Sequence, residues 1–87
     1  MSWEISKNKL VKSFKFENFV QALHFINKVG EISEKINHHP KITNVYNVVE
    51  LELWTHTKNG ITKLDHELAE EIDNIKQQDF IIKNQKE

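Results

Sequence analysis

The stretch that most restricts the fold is "NVVELELW", residues 47–54. Val49, Leu51 and Leu53 share one parity, and Glu50, Glu52 and Trp54 share the other. Strict alternation is the period of a half-buried strand, because successive side chains point to opposite faces of the sheet. A strand patterned this way belongs in a sheet with one face covered and the other turned to water. The rest of the chain must supply partner strands and an apolar cover.

The partner strands are legible nearby. A second strand precedes the alternating one at residues 42–46, with Asn47 near the break, and "TKNG", residues 57–60, is a turn. At the start, "SWEISKNKLVKSFKF" reads as two short strands joined at Lys7-Asn8-Lys9. Leu10, Lys12, Phe14 and Phe16 lie on one parity there, against Val11, Ser13 and Lys15.

The cover comes from two segments with a longer period. Asn18 is a helix N-cap, with Gln21 three residues on as its capping-box partner. Phe19, Val20, Leu23, Ile26, Val29 and Ile36 then recur at helical spacing, until Pro40 ends the helix close to His38 and His39. Thr62 and Asp65 have the spacing of a second capping box, followed by the stripe Leu64, Leu68, Ile72 and Ile75. Beyond Gln77 the tail is polar except for Phe80, Ile81 and Ile82. The expected order is strand, strand, helix, strand, strand, helix. This is an α+β fold of two layers, a four-stranded antiparallel sheet with two helices packed on one face. At 87 residues, the expectation is a single domain over 1–87.

Composition excludes several functions. There is no cysteine, so disulfides and thiolate chemistry are absent. All twelve basic residues are lysines and the net charge is -1, which argues against nucleic acid as a direct partner. No apolar run approaches the ~20 residues that span a bilayer, so no membrane partner is expected. The opening "MSWEISKNKL" lacks the apolar stretch of a secretory signal, and the expected location is cytoplasmic.

Five histidines carry the remaining chemical interest: His24, His38, His39, His56 and His66. His24 and His66 fall within the helices and read as solvated surface residues. His38, His39 and His56 fall at ends of elements, where a rigid scaffold presents functional groups. His38 lies four residues after Glu34, one helical turn on. A carboxylate and the negative end of the helix dipole would then both sit beside its imidazole, an arrangement suited to a general acid. The same residues also read as a plain helix stop, and for His38 both readings stand. By spacing alone, Asp65 is a structural cap. Three histidines could hold zinc, but adjacent side chains diverge and the usual ligand spacings are missing, so no metal is expected. No serine elbow is present, which leaves proton transfer by imidazole.

The residues "EKINHHP", then Tyr46-Asn47, Thr55-His56 and Asp65, together resemble the signature of the pterin-4a-carbinolamine dehydratases. The resemblance extends through "FKFENFVQALHF" and "GITKLDHELAEEI", covering the chain from about residue 10 to 75. It departs from longer relatives in a short N-terminus, which would leave out any leading helix, and in a compact first hairpin. The resemblance implies a four-stranded antiparallel sheet with helices on one face, assembly as a homodimer or homotetramer, and no metal or redox cofactor. It implies dehydration of 4a-hydroxytetrahydropterin (4a-hydroxytetrahydrobiopterin in tetrahydrobiopterin recycling) to quinonoid dihydropterin, with a functional link to an aromatic amino-acid hydroxylase. Carried over by position, His38 and His56 would be the principal acid–base pair, and His39 would help to hold the pterin. Glu34 would orient His38, Pro40 and Thr55 would shape the pocket, and Asp65 would support His56.

Two other functions fit the same features. One is a non-catalytic protein-binding module, since animal relatives also act as dimerisation cofactors for a homeodomain transcription factor. The other is action on a different pterin, such as a molybdopterin-pathway compound, through the same site.

Overall fold

Two hairpins and two helices account for the computed structural model, which describes residues 3–76. The strands are β1 (Glu4–Ser6), β2 (Lys9–Lys15), β3 (Lys41–Val45) and β4 (Val48–Leu53); the helices are α1 (Phe19–Ile36) and α2 (Lys63–Asp73). All pairings are antiparallel, and the spatial order is β1-β2-β4-β3. The architecture is therefore the expected α+β one, with the alternating strand β4 in the centre. The tail segment at residues 80–82 lies outside the described residues. Among the described residues no helix is long and apolar enough to cross a membrane.

Register decides which residues form the core. Leu10 pairs with Leu53, Lys12 with Leu51 and Phe14 with Val49, so these side chains share one face. Leu10, Val49, Leu51 and Leu53 are buried there against Ala22, Phe25 and Val29 of α1 and Leu68, Ala69 and Ile72 of α2. Phe14 and Phe16 lean on Phe25, with ring centroids 4.7 and 4.9 Å away. Lys12, on the same face, reaches the rim and pairs with Asp73 at 2.8 Å.

Both hairpins turn where the chain tolerates positive φ. Lys7 and Asn8 take φ of 51° and 64°, the pattern of a two-residue hairpin turn. Tyr46 takes φ of 50° between β3 and β4, where Asn44 Nδ2 donates to the carbonyls of Tyr46 and Val48. Asn47 fastens this turn to the end of β2, donating from Nδ2 to Phe16 O at 2.8 Å and accepting from Phe16 N.

The α1 stripe differs from the expected one. Phe19, Val20 and Leu23 are 40–47% exposed, whereas Val29 is buried and Ile26 and Ile36 pack against the core as expected, joined there by Ala22, Phe25 and Ser33. α1 is apolar on more than one side, and the buried side is the one that brings Phe25 onto Phe14 and Phe16. Ser33 is tolerated inside because its hydroxyl donates to Val29 O at 2.7 Å. On α2, Leu68 and Ile72 are buried as expected, but Leu64 is 41% exposed.

Both helix starts match expectation. Asn18 Oδ1 accepts from Gln21 N, while Gln21 Oε1 accepts from Glu17 N, one residue earlier than in a standard capping box. Thr62 and Asp65 form a complete capping box. The end of α1 corrects the expected role of Pro40. The helix stops at Asn37, which takes the left-handed conformation (φ 61°) that asparagine tolerates well. The backbone N–H groups of Asn37 and His38 both donate to Ser33 O. Pro40 follows three residues later and leads into β3.

Candidate active site

The turn at Asn37 explains where the histidines go. Once the backbone enters the left-handed region, helical spacing no longer applies, and His38 is released from the face it would have shared with Glu34. It swings toward the N-terminus of α2 and donates from Nε2 to Asp65 Oδ1 at 2.6 Å. Glu34 pairs instead with His39, whose Nε2 lies 2.6 Å from Oε2. The expected Glu34–His38 contact is thus replaced by two others.

Asp65 is the organising group. It is 0% exposed, and each of its oxygens is engaged. Oδ1 takes His38, while Oδ2 accepts from the Thr62 backbone N–H and from Thr55 Oγ1, both at 2.8 Å. Thr55 Oγ1 and Thr62 Oγ1 lie 2.7 Å apart, and Thr62 Oγ1 accepts from Leu64 N at 3.3 Å. Burial by itself pushes the Asp65 carboxyl up. Hydrogen bonds from His38, the Thr62 backbone and Thr55, together with the charge of His38, outweigh burial and hold it below its ordinary value. An ionised carboxylate only accepts, so His38 Nε2 carries the proton and Nδ1 is the nitrogen left for exchange.

His56 is reached indirectly. Among the described residues no hydrogen bond or ion pair joins it to Asp65 directly; the link runs through its neighbour Thr55. Thr55 is clamped on both sides, by Asp65 through its hydroxyl and by Gly60 through a backbone bridge (Thr55 N to Gly60 O, 2.8 Å). His56 then opens a single 3-10 turn, residues 56–58, closed by Asn59 at φ 52°. Its imidazole is exposed and stacks on the Trp54 indole, with centroids 4.6 Å apart and planes at 24°.

His38, His39 and His56 converge on one cavity of about 330 Å³, lined also by Asn37, Trp54, Thr55, Thr57 and Leu64. Of the residues expected at the site, Glu34, Pro40 and Asp65 do not line it. Glu34 and Asp65 stand behind His39 and His38, and Pro40 only directs the chain onward. Tyr46 is not brought in, since β3 separates it from the histidines and carries it to the opposite end of the sheet. Four lining residues are not marked as site residues by the sequence: Asn37 reads as part of a helix stop, Trp54 as one of a polar strand face, Thr57 as part of a turn, and Leu64 as part of an apolar stripe. Among the described residues no group of three metal-ligating side chains is placed to hold an ion.

The profile of the pterin 4 alpha carbinolamine dehydratase family matches residues 1–75. The chain belongs to this family. A Prochlorococcus marinus protein (strain SARG), provisionally named a pterin-4-alpha-carbinolamine dehydratase, is 51% identical over 75 residues, covering 86% of this chain and 78% of its own. A provisionally named dehydratase of Sulfolobus acidocaldarius is 44% identical over 73 residues, covering 84% and 80%. Among solved structures, a Brucella melitensis protein described as a transcriptional coactivator/pterin dehydratase superposes with a TM-score of 0.79. It is 35% identical, over 83% of this chain and 79% of its own.

Proposed function

We propose that the chain, acting as one unit over 1–87, dehydrates 4a-hydroxytetrahydropterin to quinonoid dihydropterin, with His38 and His56 as the acid–base pair and His39 helping to hold the pterin. The observation that carries this reading is the meeting of three imidazoles from two distant segments on one cavity, in a chain of this family. The cavity is at the small end of the ~300–1,000 Å³ typical of small-molecule sites, in keeping with a bicyclic ring.

The chemistry requires two proton transfers. The C4a–O bond breaks with both electrons going to oxygen, which takes a proton from an acid and leaves as water. The ring nitrogen beside C4a gives its proton to a base, and the freed pair forms the C=N bond. Two imidazoles on either side of that C–N unit supply both steps at neutral pH. Asp65 contributes by fixing which nitrogen of His38 is available, as an orienting carboxylate does in a catalytic triad.

The test is to generate 4a-hydroxytetrahydropterin in place and follow its loss of water. Wild type should accelerate the reaction, and folded His38→Ala and His56→Ala proteins should each lose most of the acceleration. Folded wild-type protein without acceleration would overturn the reading.

A second reading, a protein-binding module, is favoured by the exposed apolar residues Phe19, Val20 and Leu23 at the start of α1. They lie roughly 25 Å along the helix direction from His38, so the two roles can coexist. A homodimer or homotetramer would give these residues a place to be buried.

A further inference from the structure

His38 and His56 are held by different means. His38 is fixed by a hydrogen bond to a buried carboxylate. Among the described residues no hydrogen bond reaches the His56 imidazole, and the side chain stands exposed on a three-residue turn. Its one ring contact among those residues is the stack on Trp54. The indole is itself pinned. Lys9 Nζ lies 4.1 Å from its ring centroid, and the same ammonium is 3.6 Å from Glu52 Oε1. Lys41 approaches the other oxygen of Glu52 at 3.9 Å. A chain of contacts thus runs across the open face of the sheet, from Glu52 through Lys9 and Trp54 to His56.

We propose that Trp54, held in place by Lys9, is the positioning residue of His56. The proposal rests on the reading of His56 as one of the two proton-transfer groups. A stack suits this task for a geometric reason. It fixes the plane of the imidazole, while both ring nitrogens lie at the ring edge and remain open for proton transfer. A hydrogen bond of the kind that holds His38 would occupy one nitrogen. An unsupported histidine samples roughly six rotameric states, from three χ1 wells and two broad χ2 orientations. Holding one of them raises the productive fraction by up to about sixfold.

The experiment compares Trp54→Leu, Trp54→Phe and Lys9→Met with wild type, measuring kcat and KM for the dehydration separately. Trp54→Leu should lower kcat about sixfold and leave KM within about twofold, and Trp54→Phe should restore most of the loss. Lys9→Met should show a smaller loss of the same kind. In a His56→Ala background, Trp54→Leu should have no further effect on the residual rate. A raised KM with unchanged kcat would overturn the proposal, because it would make the indole a direct substrate contact. An undiminished Trp54→Leu effect in the His56→Ala background would overturn it as well.

A second readout separates this proposal from the dehydratase reading. In wild type the His56 ring protons should be shifted upfield in the NMR spectrum by the indole ring current, and Trp54→Leu should return them to solvent-exposed values. If wild type fails to dehydrate the pterin, the dehydratase reading falls, and the positioning claim is still decided here. His56 ring protons unmoved by Trp54→Leu would overturn it.

Discussion

Two histidine–carboxylate pairs in this chain have the same length and opposite settings. His38–Asp65 and His39–Glu34 both measure 2.6 Å. In the first pair the side chains are 12% and 0% exposed; in the second they are 54% and 79% exposed. Asp65 also accepts from Thr55 and Thr62. Among the described residues, Glu34 has only His39. The difference teaches that distance does not measure what a contact is worth. An exposed pair trades one set of hydrogen bonds for another in water and costs side-chain entropy, leaving ~0–1 kcal/mol. A buried carboxylate with both oxygens engaged has no such alternative, so losing a partner leaves an uncompensated polar group.

Breaking the buried pair should have the largest effect. Asp65→Asn presents an amide where His38 needs an acceptor and weakens the cap, so stability should fall by about 2–3 kcal/mol in denaturant unfolding. The dehydration rate should drop on the order of 100-fold, because His38 loses both its orientation and its defined protonated nitrogen. The same pair predicts a pH effect. The folded-state carboxyl lies below its ordinary value of 3.8, so Asp65 binds fewer protons folded than unfolded. Its stabilisation is therefore complete above about that value and is lost as the pH falls through the lower folded value. Thermal unfolding between pH 6 and pH 2 should show this acid loss in wild type and a flatter profile in Asp65→Asn.

Smaller changes grade the comparison. Thr55→Val removes one donor to Asp65 Oδ2 and should cost about 1–1.5 kcal/mol. Rates should fall by less than for Asp65→Asn, since the His38 contact survives. Thr62→Ala removes the cap hydroxyl and should cost about 1 kcal/mol, read in the same unfolding assay. Glu34→Gln should be the mildest, within about 0.5 kcal/mol of wild type and with rates changed less than about threefold. A Glu34→Gln loss as large as that of Asp65→Asn would erase the distinction between the two pairs.

Features governed by neighbours in sequence were legible beforehand. The alternation in β4, the turns at Lys7-Asn8 and 57–60, the Asn18 cap and the Thr62–Asp65 box all depend on residues within a few positions of each other. The partner of His38 does not. Helical spacing points to Glu34, one turn away, and that relation fails once Asn37 leaves helical geometry. Asp65 is 27 residues from His38 and reaches it only because α2 begins beside the end of α1. The cap spacing marked Asp65 as important but could not show that its second oxygen was free for a distant imidazole. In the α1 stripe Val29, Ile26 and Ile36 reach the core while Phe19, Val20 and Leu23 do not, since several faces are apolar and tertiary packing decides which one is buried.

The measurement closest to the centre of this account is the NMR signature of the His38 imidazole in wild type, Asp65→Asn and Glu34→Gln. The account predicts a protonated Nε2 with a strongly downfield proton in wild type, kept in Glu34→Gln and lost in Asp65→Asn. A signal that survives in Asp65→Asn and disappears in Glu34→Gln would contradict it.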